Sequence, residues 1–279
     1  MICFRTEIGR LRGGFEIRRD DRIVLLGSCF ADNIGERLAT DGFAAVHNPL
    51  GPLYNPASIL RVLARDGRPY GEADMVCHAG TWHCLDAACR YQGADPGAVA
   101  DAVNADYLPL ARAVDEADVV IVTFGTSHVF EHGGAVAGNC HKLPAAEFER
   151  RMLSPAEIAD AWAAVPALSG KRLIFTISPV RYTSDGLADG SLAKAILRVA
   201  VDDICRRTGA DYFPACEIVC DDLRDYRFYA DDLRHPSAMA VEYIYEKFAE
   251  AYFSPATCEA ARAARRAWLR SQHRPIIAT

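Results

Sequence analysis

The chain has 279 residues, of which 51% are hydrophobic and 24% are charged, and its formal net charge is −6. This length fits one large domain or two small ones, and the composition is ordinary for a globular protein. The acidic balance argues against a general nucleic-acid binder, which needs a basic face. No apolar run approaches the ~18 residues of a membrane span, and the N-terminus lacks a signal-peptide pattern, so we expect a cytoplasmic protein.

The first strong pattern in the chain is a strand followed by a helix. Residues 23–26 form a short apolar run that is typical of a buried parallel strand, and apolar residues recur at helical spacing over 30–38. Gly27 and Ser28 separate the two. Ser28 therefore lies between a strand's carboxyl end and a helix N-terminus. Its hydroxyl is a nucleophile if a base reaches it, or simply the N-cap of the helix.

Strand and helix patterns then alternate, which implies a parallel sheet covered on both faces. The sequence predicts strands over residues 43–46, 118–125, 172–178 and 211–214, and helices over 57–65, 96–114, 154–168, 191–207 and 257–272. Residues 67–98 are irregular and rich in glycine, which favours a lid or a small hairpin over the site. Residues 273–279 look like a tail.

Ten cysteines are scattered along the chain without a Cys-x-x-Cys pair. In a cytosolic protein, most should be reduced and buried. The cysteines and histidines of residues 77–89 match no common zinc spacing. His128 and His132 are four residues apart but have no evident third ligand. We therefore predict no metal site and no cofactor.

A polar loop late in the chain holds a carboxylate and an imidazole. Asp232 lies three residues before His235, and a helix is expected directly afterwards. Such a carboxylate can fix the tautomer of the imidazole and stabilise the imidazolium. The alternative is a helix-capping loop whose polar residues are incidental.

A serine after the first strand, Ser28, and an Asp-x-x-His in the last loop, Asp232 to His235, resemble the two ends of the SGNH, or GDSL-like, hydrolase arrangement. The chain resembles the GSCFA family more closely still. That family is named for the five residues that stand here as 27–31. Further matching stretches extend from about residue 4 to 255, and they include 48–56, 138–144, 178–181 and 225–237. The resemblance implies one domain with a flavodoxin-like three-layer α/β/α sandwich and a central parallel sheet.

The resemblance also implies a serine esterase in which Ser28 is the nucleophile, His235 the base and Asp232 the residue that orients it. The substrate would be an O-acyl ester of a small polar molecule or a carbohydrate, and the acyl-enzyme would pass to water. An O-acyltransferase with the same site, or a non-catalytic module that binds a glycan or metabolite, is the alternative. Cys29 is a rival nucleophile, because a thiol at a helix N-terminus has a lowered pKa.

The oxyanion hole is expected to contain the Ser28 amide and the glycine of the second family block, for which Gly51 is the candidate. In the third block, Ser127 stands where SGNH enzymes usually have asparagine. Either Ser127 donates instead, or Asn139 reaches in from the next loop; we favour Asn139.

Arg181 follows a predicted strand and lies beside the expected crevice. Its guanidinium either pairs with an anionic group of the substrate or forms a buried structural ion pair. Three further residues of the matching stretches complete the expected substrate-binding set: Asn48, Tyr54 and His141.

Overall fold

The computed structural model describes residues 6–184 and 186–272. In chain order, the strands are β1 (Arg22–Gly27), β2 (Ala44–His47), β3 (Val76–His78), β4 (Thr81–His83), β5 (Gln92–Gly93), β6 (Val119–Phe124), β7 (His128–His132), β8 (Ala135–Ala137), β9 (Glu149–Met152), β10 (Arg172–Ile177) and β11 (Asp211–Phe213). The α-helices are α1 (Cys29–Thr40), α2 (Pro56–Leu63), α3 (Pro96–Glu116), α4 (Pro155–Trp162), α5 (Gly186–Thr208), α6 (Ala215–Glu217), α7 (Ala238–Tyr252) and α8 (Pro255–Gln272). None of these helices is both long and apolar enough to cross a bilayer.

Five parallel strands form the central sheet, in the order β2-β1-β6-β10-β11. From β1 the chain first goes to one side, to β2, and then returns to build the other side from β6 onwards. The strand order therefore reverses between β1 and β6, as in flavodoxin-like folds. In open parallel sheets, ligands bind at such a switch point, beyond the carboxyl ends of the strands.

Alternate residues of these strands pack into two separate cores, one on each face of the sheet. In β6, Val120 and Val122 pack on one face, against α2, α3, α4 and α5. Ile121 packs on the other face, against α1, α7 and α8. Because successive side chains of a strand point to opposite faces, the strands β1, β6 and β10 each supply residues to both cores. The result is a three-layer α/β/α sandwich, which confirms the predicted fold class.

The predicted central strands and the helices around them are present, and two helices differ from the predicted bounds by more than two residues at one end. Helix α4 ends at Trp162 rather than at residue 168, because Pro166 cannot continue a helix and instead begins a short 3₁₀ turn. Helix α5 begins at Gly186, five residues earlier than predicted, because its glycine-rich first turns hide the helical pattern. The predicted tail over 273–279 lies outside the described residues.

Two small antiparallel sheets accompany the central one. Strands β3, β4 and β5 form the first, within the irregular segment 67–98, and β8, β7 and β9 form the second. His128 and His132 therefore lie on a strand. Residues Ile218–Leu223 form a turn of π-helix directly after α6, which the sequence did not predict.

Candidate active site

Ser28 lies at the switch point, where the backbone is fixed from two sides. Gly27 has φ 135°, and a side chain there would clash with the carbonyl oxygen of Thr123 on β6. The Asn48 carboxamide accepts a hydrogen bond from Gly27 N at 2.9 Å and donates one to Ser28 O at 3.3 Å. The buried Ser28 hydroxyl accepts from Phe30 N at 3.3 Å, so this side chain is the N-cap of α1.

A cavity of about 390 Å³ opens at this edge of the sheet. Ser28 lines it from the end of β1, Thr126 from the end of β6 and Ser178 from the end of β10. His235 lines it from the loop before α7. The cavity therefore brings together two residues that the sequence places near opposite ends of the chain.

His235 is held by the carboxylate of Asp232. Its Nδ1 lies 2.6 Å from Asp232 Oδ2, while Asp232 Oδ1 accepts from the backbone amides of Arg234 at 2.9 Å and His235 at 3.0 Å. These hydrogen bonds, from the His235 amide first and its imidazole next, lower the pKa of Asp232. The ionised carboxylate favours a proton on Nδ1, which leaves Nε2 of the neutral imidazole as the acceptor.

Ser28 and His235 line the same cavity, but no hydrogen bond joins their side chains in the described part of the chain. The serine hydroxyl is engaged with the helix N-terminus instead. Catalytic hydrogen bonds often tighten only in the complex with substrate. The arrangement thus supplies a nucleophile and an oriented base around one cavity, with the bond between them still to be made.

Three of the predicted oxyanion donors do not fit this geometry. The Ser28 amide is already used, since it donates to Thr123 O at 3.1 Å in the sheet. The Gly51 amide donates to Asn48 O at 2.8 Å, and Gly51 does not line the cavity. Ser127 is fully buried outside the cavity lining, where its hydroxyl has no partner among the described residues.

Asn139 fits the role of a donor better. It lines the cavity, and its backbone amide donates to Leu85 O at 2.9 Å. Its Oδ1 accepts from His141 N at 2.8 Å and from Cys89 Sγ at 3.1 Å. These contacts fix the carboxamide so that Nδ2 is the group without a hydrogen-bond partner among the described residues. An amide held in this way can donate to developing negative charge.

Two of the predicted substrate-binding residues have structural roles. Asn48 lies outside the cavity lining and uses its carboxamide to hold the Gly27–Ser28 peptide. His141 is buried, with Nε2 donating to Ala87 O at 3.0 Å and Nδ1 lying 3.3 Å from His83 Nδ1. Burial lowers the pKa of both histidines, which keeps this pair neutral.

The other two, Tyr54 and Arg181, do line the cavity. The Arg181 guanidinium lies over the rings of Tyr229 and Tyr226, at 4.9 and 5.5 Å from their centres, and donates to the Tyr226 hydroxyl at 3.3 Å. No described carboxylate forms an ion pair with it. The structural ion pair considered for Arg181 is therefore absent from the described residues.

Lys194, on α5, is a residue of the site for which the sequence contained no signal. Its buried Nζ donates to Gly125 O and to Ser178 O, both at 2.6 Å, and burial lowers its pKa. Lys194 thereby ties together the loops that follow β6 and β10. Arg234, which also lines the cavity, was missed although it directly precedes His235.

The rival nucleophile and the metal sites can be judged from the same geometry. Cys29 lines the cavity, but burial and then the negative charge of Asp32 raise the pKa of its thiol. The helix N-terminus therefore does not activate it as expected. No group of three or more metal-ligating side chains occurs among the residues described.

The segment 67–98 supports the site from the side and does not cover it. None of its residues lines the cavity, so the prediction of a lid does not fit. Instead, Leu85 O accepts the amides of Gly138 and Asn139, at 2.7 and 2.9 Å. The segment thus anchors, through Leu85, the loop that carries Asn139.

A comparison with protein families finds one matching model, described as the GSCFA family, over residues 22–248. The chain belongs to the GSCFA family. The match covers both ends of the cavity, from Ser28 to His235, so the candidate active site lies within the GSCFA region. A comparison with curated proteins finds no match.

Proposed function

We propose that this GSCFA protein is a serine esterase of the SGNH type, which removes O-acyl groups through an acyl-enzyme at Ser28. The observation that carries the proposal is the cavity at the switch point, which Ser28 shares with His235, itself oriented by Asp232. A buried hydroxyl, an imidazole and a carboxylate in these places are the parts of a nucleophile–base–orienter system.

In the proposed reaction, His235 Nε2 takes the proton of Ser28 Oγ while the oxygen attacks the ester carbonyl. The imidazolium is stabilised by Asp232 and then gives its proton to the leaving alcohol. The oxyanion is bound by Asn139 Nδ2 and by the Cys29 amide at the N-terminus of α1, where helical amides lack internal partners. Water, activated by the same imidazole, releases the acid and restores the serine.

The substrate that we propose is an ester of a small polar molecule or a carbohydrate. The exposed ring of Tyr54 at the cavity offers an apolar face against which a sugar ring can pack. We also propose a cytoplasmic location. In support, the nine cysteines of the described residues are all free thiols, as a reducing compartment would keep them.

The test compares wild type with Ser28→Ala in hydrolysis of 4-nitrophenyl acetate and in labelling by a fluorophosphonate. We expect Ser28→Ala to lose the label and at least about 10³-fold in turnover, because the nucleophile is absent. Ser169→Ala, at an exposed serine far from the cavity lining, is the matched control and should behave like wild type.

Turnover that survives in Ser28→Ala would overturn the proposal and direct attention to Cys29→Ala. A labelled Ser28 without hydrolysis would favour the acyltransferase, since the serine would be activated while water is excluded as acceptor. If the wild type shows no label and no turnover, this result would contradict an enzyme and favour the binding module.

A further inference from the structure

The cavity that contains Ser28 is cationic in a chain that is acidic as a whole. The sequence has 37 acidic and 31 basic residues. Yet the described lining includes Arg181 and Arg234 and no aspartate or glutamate. Charges of one sign on the walls of a cleft raise the local concentration of ligands of the opposite sign.

Arg181 is held in a fixed orientation without being neutralised. Its guanidinium packs over Tyr229 and Tyr226, and one of its nitrogens donates to the Tyr226 hydroxyl. Its backbone amide donates to Arg234 O at 3.1 Å, so the two arginines come from segments that are hydrogen-bonded to each other. A planar guanidinium that is already oriented loses little freedom when it binds a carboxylate.

The acidic residue nearest to Arg234 in the sequence is Asp232, and its carboxylate does not neutralise the Arg234 side chain. One oxygen of Asp232 accepts two backbone amides, and the other is bound to the imidazole of His235. The Arg234 guanidinium is exposed and forms no ion pair with any described carboxylate. Its charge is therefore available at the cavity, directly beside the base.

We propose that this cavity selects esters that carry a carboxylate, which Arg181 and Arg234 bind while Ser28 attacks the ester carbonyl. This inference rests on the proposed esterase function and names its substrate class. The carboxylate can belong to the acyl part, as in the monoester of a dicarboxylic acid, or to the alcohol part. Arginine pairs with carboxylates through two parallel hydrogen bonds, which gives affinity and orientation together.

Matched pairs of esters test the proposal by the ratio of their kcat/KM values. Mono-(4-nitrophenyl) adipate against 4-nitrophenyl hexanoate places the carboxylate on the acyl part, and 4-acetoxybenzoate against its methyl ester places it on the alcohol part. We expect wild type to prefer the anionic member of one pair. Arg181→Gln and Arg234→Gln should each reduce that preference on the order of 10- to 100-fold, because each removes a charged hydrogen-bond donor.

Arg227→Gln is the control, since Arg227 is an exposed arginine of the neighbouring loop that pairs with Asp225 and does not line the cavity. It should leave the preference unchanged. A folding defect in Arg181→Gln would reduce both rates of a pair equally, so the ratio remains interpretable. Equal kcat/KM values for the anionic and neutral members of both pairs in wild type would overturn the proposal. So would a preference that is unchanged in both Arg181→Gln and Arg234→Gln.

A binding measurement separates this proposal from the esterase itself. Calorimetry with Ser28→Ala compares the affinity for adipate with that for its neutral diamide. The adipate titration is then repeated with Ser28→Ala proteins that also carry Arg181→Gln or Arg234→Gln. If adipate binding depends on the arginines but the wild type hydrolyses no ester, the result would contradict the esterase proposal and support the anion site. Adipate that binds no better than the diamide would refute the anion site, whatever the enzyme hydrolyses.

Discussion

At the scale of single residues, Asn48 shows how a polar side chain can organise the site without lining the cavity. Its carboxamide is buried and holds Gly27 N and Ser28 O together. We expect Asn48→Ala to lower the free energy of unfolding by about 1–3 kcal/mol, because it leaves a buried amide without its acceptor. Urea unfolding monitored by circular dichroism measures the change.

Asn48→Gly is the matched control, since Asn48 has φ 35°, which glycine adopts without strain. A loss in both variants assigns the effect to the carboxamide, whereas a loss in Asn48→Ala alone assigns it to the backbone. Wild-type stability in both variants would contradict a structural role for Asn48.

The sequence identified which polar residues gather near the site, but not which way they face. The spacing of Asp232 and His235 makes their contact local, so it could be predicted. Asn48 and His141 looked equally suited to binding, yet both satisfy buried backbone groups. Whether such a side chain points into a cavity or towards a carbonyl depends on packing between distant segments, which spacing does not reveal.

At the scale of elements, the π-helical turn after α6 places two thiols together. Cys216 and Cys220 have their sulfurs 3.9 Å apart, beside a second cavity whose walls include Arg181 and Lys194. The hydrogen bond from Cys216, and then the positive charges of Arg181 and Lys194, lower the pKa of Cys220 against the opposing effect of burial. The turn thus lowers the pKa of one of the two thiols.

We therefore expect Cys220 to react with iodoacetamide faster than Cys205 at pH 7, because the thiolate is the reactive form. Burial raises the pKa of Cys205 to about 11. Peptide mapping by mass spectrometry follows each site from pH 5 to 9. The rate at Cys220 should rise at lower pH than the rate at Cys205.

Two variants of Cys216 identify the cause. Cys216→Ser keeps a hydrogen-bond donor and should preserve the early reaction of Cys220, whereas Cys216→Ala removes the donor and should shift the reaction to higher pH. Identical pH profiles for Cys220 and Cys205 in the wild type would show that the turn does not activate the thiol.

At the scale of the whole molecule, the strands could be predicted but their order could not. The β-branched run of β6 indicates a buried parallel strand, and the alternation with helices indicates the class. The position of β6 beside β1, which creates the switch point, depends on contacts between remote segments. Of the two small sheets, the one within residues 67–98 corresponds to the hairpin that was offered as an alternative to a lid. The other was missed, because strands of three to five residues are too short to show a period.

The two cores offer a test of whether the chain is one folding unit, as the sequence predicts. Ile244 on α7 is fully buried in the core on one face, and Trp162 on α4 is buried in the other. Ile244→Ala should lower the free energy of unfolding by about 2–5 kcal/mol, through lost apolar burial and the cavity left behind. Because both cores are built on the same strands, the loss should reach Trp162 as well.

Urea unfolding followed by tryptophan fluorescence and by circular dichroism measures this coupling, in a background of Trp268→Phe that removes the exposed indole of α8. The two remaining indoles, Trp82 and Trp162, both pack on the core opposite Ile244. The two transitions of Ile244→Ala should coincide and shift together, as a single cooperative unit requires. Met239→Ala, at a side chain of α7 that is 71% exposed, should stay within about 0.5 kcal/mol of the background.

A fluorescence transition that stays in place while circular dichroism shows an earlier step would mean that the two faces unfold separately. The single-domain prediction would then be wrong. Ser28 and His235 precede helices α1 and α7 of one face, while Asn139 is anchored beside the other face. The cavity would therefore depend on the less stable of the two faces.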